Sequence, residues 1–142
     1  MKLEDFHFLL GQTIMYCQII ENDVKLIYGA MCTGNLNDTL DMIAQQKWTL
    51  GKTIAELKKL DFSDKEPYIS ATDYNFLKQM TEKRNHWCHQ TYIEFLYTNN
   101  IEHSIEYEKE CLKIIRDNKR LSAVYQSLEK IRLQAMKDFN RI

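Results

Sequence analysis

An all-α architecture, an antiparallel bundle of four or five helices, follows from three features of the sequence. It holds one Pro and four Gly in 142 residues, whereas a β-rich fold with many tight turns consumes both. Its apolar residues recur at the helical period over long stretches. Its length suffices for one hydrophobic core, and 44% hydrophobic with 27% charged residues is ordinary for a soluble globular chain. One domain spanning residues 1–142 is therefore expected.

The elements can be taken in order. From Asp5 to about Met31, Leu10, Cys17, Val24 and Met31 repeat every seventh residue; Phe6, Ile20 and Ile27 form a companion series with Thr13 as its polar member. This predicts one long amphipathic helix with a core-facing stripe. Cys32-Thr33-Gly34-Asn35 reads as a turn. A short helix is expected over Leu36–Gln46, with Asn37 or Asp38 near its start. Another is expected over Leu50–Leu60, capped by Thr49 and burying Leu50, Ile54 and Leu57. Residues 61–70, with the only Pro, read as the main loop. Thr72 can cap a further long helix that carries Leu77, Met80, Trp87, Ile93 and Leu96 and ends near Asn99-Asn100. From Ile101 to Phe139 the chain reads as helical again, through Ile105, Leu112, Ile115, Leu121, Val124, Leu128, Ile131 and Ala135. Its charged middle, Arg116 to Arg120, either stays exposed or divides it into two helices.

A formal net charge of −1, from 19 basic and 20 acidic side chains, excludes the global positive field of a general nucleic-acid coat protein. It leaves room for a locally basic cleft. Cys17, Cys32, Cys88 and Cys111 are widely spaced and form no C-x-x-C pair, so neither a disulfide framework nor a structural zinc site is expected. Free thiols suit a reducing cytoplasm. The N-terminal MKLEDFHFLLGQ carries acidic residues where a secretory signal has a positive flank, and no stretch approaches the roughly 18 apolar residues of a membrane span. A soluble cytoplasmic protein without a membrane partner is expected.

Histidine is the side chain suited to proton transfer near pH 7. Two of the four histidines lie in one run, Lys83-Arg84-Asn85-His86-Trp87-Cys88-His89-Gln90. Asn85 and His89, four apart, share a helix face. Arg84 and His89, five apart, stand about 140° apart around a regular helix. For both to reach one atom, the Arg side chain wraps round, the helix is locally distorted, or two chains pool their residues. His86 and His89 supply only two helical ligands and no matching partner is identifiable, so no metal and no cofactor is expected. Glu21 could sit near the cleft, although a mid-helix Glu is more often solvated or capping; Trp48 and Trp87 are expected to sit in a core or interface, and the Arg116–Arg120 run to form a solvated face. His7 and His103 carry no specific signal.

The segment Arg84-Asn85-x-x-x-His89 resembles the R-x4-H motif of the HEPN superfamily, in its form with a polar Asn after the Arg. The context is similar too: a long first helix with an internal acidic residue, Glu21, a Leu50-Gly51-x-x-Ile54 helix, and the motif in a later long helix. The resemblance covers residues from about 5 to 98. It implies a metal-independent endoribonuclease in which the RNA 2′-hydroxyl attacks the adjacent phosphate, leaving a 2′,3′-cyclic phosphate or its hydrolysis product. It also implies a composite cleft formed by two motifs facing each other across a homodimer. In that scheme His89 transfers the proton, Arg84 binds the scissile phosphate through its forked donors, and Asn85 orients His89 or donates to a phosphate oxygen. RNA, not DNA, is the implied substrate, and a cognate antitoxin of a toxin–antitoxin or defence system is the further implied partner. One departure stands out. Some toxins of this superfamily place a Tyr two residues after the His; here that position is Thr91, and Tyr92 lies one further on, about 100° around a helix. The competing expectation, from a different functional class, is a non-catalytic helical dimer serving as an RNA- or protein-interaction module.

Overall fold

Among the described residues, five α-helices arise where the apolar period demands them. A computed structural model describes residues 1–63 and 66–142 of the chain. The helices are α1 (Leu3–Met31), α2 (Leu36–Gln45), α3 (Leu50–Asp61), α4 (Ala71–Asn85) and α5 (Ile105–Asp138). A π-turn over His86–Gln90 continues α4, and a short 3-10 turn over Ile101–His103 leads into α5. The expected all-α bundle is what the chain forms. No helix among the described residues is long and apolar enough to cross a membrane.

Side-chain oxygens start α2, α3, α4 and α5 by accepting from amides that have no partner within the first turn. Asn35 accepts from the Asn37 and Asp38 amides, Thr49 from Lys52, and Ser104 from Tyr107. Ser70, not the expected Thr72, caps α4 through the Asp73 amide. Gly34, at a φ of 93°, makes the turn after α1. The Arg141 guanidinium then closes that turn by donating to the carbonyls of Ala30, Cys32 and Gly34. Of the expected loop, Asp61 belongs to α3, and Asp64 and Lys65 lie outside the described residues.

The most extensive pairing joins the two longest helices, α1 and α5. Unlike the antiparallel arrangement expected, they run parallel, as four contacts at ascending positions show: Met1 with Tyr107, Thr13 with Asn118, Asp23 with Arg132, and Ala30 with Arg141. α4 runs antiparallel to both. Arg84 meets Glu21 of α1, and Asp73 and Trp87 meet Arg120 and Asp117 of α5.

Two apolar clusters fill the interior. The larger holds Cys17, Ile20, Val24 and Ile27 of α1 with Leu57, Leu77, Met80, Leu121, Val124 and Leu128. The smaller holds Phe6, Leu10, Trp87, Phe95, Tyr107, Cys111 and Ile114. Between them in sequence phase lies a polar layer, where Asn118 donates to Thr13 and Gln12 and Asp117 accepts from Lys83 and Trp87. The charged middle of α5 therefore neither breaks the helix nor stays wholly exposed, because Asp117 is buried in this layer. Five apolar residues assigned above to helical patterns face outward instead: Ile93, Leu96, Ile105, Leu112 and Ile115. On α5 the inward stripe runs through Tyr107, Glu110, Cys111, Ile114 and Asp117, which leaves Leu112 and Ile115 on the other side.

Deeper in the α1–α5 seam, Arg132 pairs with Asp23 at 3.2 Å and with Glu129 at 2.7 Å. Burial, followed by the Glu129 charge, raises the Asp23 carboxyl from its ordinary range to about 7. Folded protein then holds this proton where unfolded chain has lost it, so stability falls as pH rises from the ordinary carboxylate range to about 7. Urea unfolding at pH 5 and pH 7.5 should show the native protein losing on the order of 1–2 kcal/mol relative to Asp23→Asn across that interval.

Candidate functional site

The regular hydrogen-bond ladder of α4 changes at the Arg84–His89 segment. The Thr91 amide donates to the His86 carbonyl at 3.0 Å, a bond that spans five residues instead of four. A π-turn takes one extra residue into the turn and is often found at functional sites. It brings residues five apart closer to one side than the 140° of a regular helix allows. Of the three routes by which Arg84 and His89 could converge, a local distortion is present at His86–Gln90, the part of the motif that holds His89. Beyond the turn, residues 91–98 continue as irregular hydrogen-bonded turns, such as Leu96 N to Tyr92 O at 2.7 Å, up to Asn100 at a φ of 51°. The buried positions on this stretch are Trp87, Thr91 and Phe95, spaced by four, so Ile93 and Leu96 are turned to solvent.

Two buried carboxylates of α5 hold the segment from behind. Glu110 accepts from His86 Nε2 and from Thr91 Oγ1, each at 2.8 Å, and from Lys113 Nζ at 3.4 Å. Asp117, seven residues on and so on the same side of α5, accepts from Trp87 Nε1 at 3.0 Å and Lys83 Nζ at 3.0 Å. Buried carboxylates are tolerated only with such partners. His86 is therefore a scaffold residue, engaged toward α5.

The other side of the segment carries the candidate chemistry. Arg84 Nη1 forms a salt bridge with Glu21 Oε1 of α1, and Arg84 Nη2 donates to Asn85 Oδ1 at 3.5 Å. Glu21 is not the solvated or capping residue that a mid-helix Glu more often is: α1 and α4 are antiparallel, which sets this acid against Arg84. A guanidinium has five N–H donors, so these two contacts leave capacity for an anion, and the Arg84 side chain is 29% exposed. His89 is exposed and, among the described residues, makes no side-chain hydrogen bond. Arg84 and Asn85 are in contact. His89 shares their turn and no hydrogen bond joins it to either, so its ring remains free to meet a substrate or a second chain.

Neighbouring groups refine the chemistry. Cys17 lies one turn before Glu21, and burial pushes its thiol up to about 12, with Cys88 adding to the rise and Arg84 opposing it. It stays protonated at neutral pH and is no nucleophile. Tyr92 turns away to α1, where its hydroxyl pairs with His7 Nδ1 at 2.6 Å, and burial raises the Tyr92 hydroxyl above its ordinary value. His7, without signal in the sequence, thus anchors the stretch that follows the motif. Thr91 is buried against Glu110. Within one chain Glu21 balances the charge of Arg84, so the site is not strongly basic. No group of three or more His, Cys, Asp or Glu among the described residues is placed to hold a metal ion.

Compared with known proteins, the chain matches no family model, no curated protein and no solved structure.

The Glu21–Arg84 pair, partly shielded from water, should couple more strongly than a fully exposed pair. A double-mutant cycle of Glu21→Gln and Arg84→Gln, read by urea unfolding, should give a coupling of about 1 kcal/mol. A value near zero would mean the two side chains do not hold each other in solution.

Proposed function

We propose that the protein is a metal-independent endoribonuclease of the HEPN type, with Arg84, Asn85 and His89 as its reactive group. The observation that supports this reading is the π-turn at His86–Gln90, which departs from the regular helix within the motif and leaves the His89 ring exposed and unpaired among the described residues. RNA cleavage without metal needs a proton-transfer group near neutrality and a cation on the phosphate whose charge builds up as the 2′-hydroxyl attacks. His89 takes or returns the proton. Arg84, prepositioned by Glu21, binds the phosphate with its remaining donors. Asn85, already against Arg84, donates to a phosphate oxygen or orients the His89 ring.

The working cleft in this reading is formed by two copies of the chain, and a cognate antitoxin is the partner that restrains it. Phe8 and Met15 on the open side of α1, and Ile93, Leu96 and Tyr97 beyond the motif, are exposed apolar groups that support burial of this region by association. Two facing motifs also place two Arg84 guanidinium groups in one cleft, each beside its own Glu21 and each with N–H donors left for a phosphate.

A second reading has its own support. Because Glu21 already neutralises Arg84, the segment also suits a non-catalytic dimer that serves as an RNA- or protein-interaction module.

The two readings separate on cleavage. With a mixed RNA substrate in EDTA, the protein should cut, and Arg84→Ala or His89→Ala should each lower the rate by at least about 100-fold while the circular-dichroism helix signal stays intact. Cleavage that survives both substitutions, or none with any RNA tested, favours the interaction module. Growth arrest on expression, relieved by His89→Ala, should accompany the nuclease.

A further inference from the structure

The carboxylate of Glu110 is 4% exposed and does not touch the reactive group, yet it grips the turn that carries it. A single oxygen, Oε2, accepts from both His86 Nε2 and Thr91 Oγ1 at 2.8 Å. These are the same two residues whose backbones share the five-residue bond of 3.0 Å. The carboxylate therefore closes, through side chains, the loop that the backbone closes through Thr91 N and His86 O. Its other oxygen takes Lys113 at 3.4 Å, so a charge that would be costly to bury alone is matched on both sides.

We propose that Glu110 is a positioning residue: by tying His86 to Thr91 it holds the π-turn open and sets the direction in which His89 faces relative to Arg84 and Asn85. This rests on the nuclease reading of Arg84 and His89. The physical reason is register. A turn with five-residue bonds has poorer geometry than an α-helix and occurs mostly as single turns within one. Relaxation to four-residue bonds would rotate every residue after the turn. Trp87, tied to Asp117 by its indole N–H, resists that rotation at the start of the turn, and Glu110 resists it at both ends. His89 lies between the tied residues and is exposed, so its direction follows from the tether although its side chain makes no hydrogen bond among the described residues.

The test compares native protein with Glu110→Ala, Glu110→Gln, Thr91→Val and the Glu110→Ala/Thr91→Val double variant. Each is assayed for steady-state cleavage of an RNA oligonucleotide in EDTA, for thermal melting, and for amide NMR signals. Glu110→Ala should lower kcat by about 10- to 100-fold with KM little changed, as for a reactive group displaced by about an ångström. Glu110→Gln, whose carbonyl oxygen can accept both bonds, should restore most of kcat. Thr91→Val should lower kcat by a smaller factor and add nothing on top of Glu110→Ala, because the two act through one tether. If Glu110→Ala does not fold, Thr91→Val carries the same comparison alone. A Glu110→Ala variant that turns over like native protein overturns the proposal, as does a loss confined to KM or one that only follows the melting temperature. If native protein cleaves no RNA, the nuclease reading fails, and the tether is then judged by NMR. Displaced Asn85 and His89 signals in Thr91→Val support it, and unmoved signals overturn it.

Discussion

Two buried acids on one side of α5 set the geometry of the region that matters most. Glu110 and Asp117 sit two helical turns apart in the stripe that otherwise carries Tyr107, Cys111, Ile114 and Leu121 into the core. A carboxylate at such a place is destabilising by several kcal/mol unless it finds donors. The donors it finds all come from one segment of chain, Lys83 to Thr91, apart from α5's own Lys113 and Arg116. The need to satisfy those acids therefore places the segment, decides which of its sides faces inward, and leaves the other side, with Arg84, Asn85 and His89, to face α1 and solvent.

Much of the scaffold was legible because burial leaves a period. In α1 the seven-residue repeats of Leu10, Cys17 and Val24 and of Phe6, Thr13, Ile20 and Ile27 face inward as their spacing requires. Thr49 starts α3 for the reason that Ser, Thr, Asn and Asp start helices anywhere: an oxygen for an amide that lacks a partner. What was not legible involved groups whose partners are far away in sequence. Glu21 finds Arg84 across 63 positions, and Tyr92 finds His7 across 85. Nothing local records either pairing.

Two misreadings share a cause. Ile93, Leu96, Leu112 and Ile115 were counted into the helical patterns by apolar identity alone, but the extra residue of the π-turn and the true stripe of α5 turn them outward. The signal that could have found the stripe was its phase. Stepping back from Leu121 by three and four lands on Asp117, Ile114, Glu110 and Tyr107, and acids at core-phase positions of a long helix are a mark of a specific buried partner. The π-turn has no such local mark. Its ends, His86 and Thr91, are joined by Glu110 of α5, a partner distant in sequence.

The reactive reading of the site takes the sugar hydroxyl of the substrate as the nucleophile, with His89 as the proton-transfer group and Arg84 on the phosphate, while burial holds the Cys17 thiol protonated. The most direct measurement is therefore the chemistry of the cut ends. Mass spectrometry should be run on products from an RNA oligonucleotide and from the same strand with a single 2′-deoxy sugar on the 5′ side of the cut position. The account requires a 2′,3′-cyclic phosphate, or the monophosphate formed from it, from the first strand and no cut at that position in the second. Cleavage of the 2′-deoxy strand at the same position, or products ending in a free 3′-hydroxyl, would contradict it.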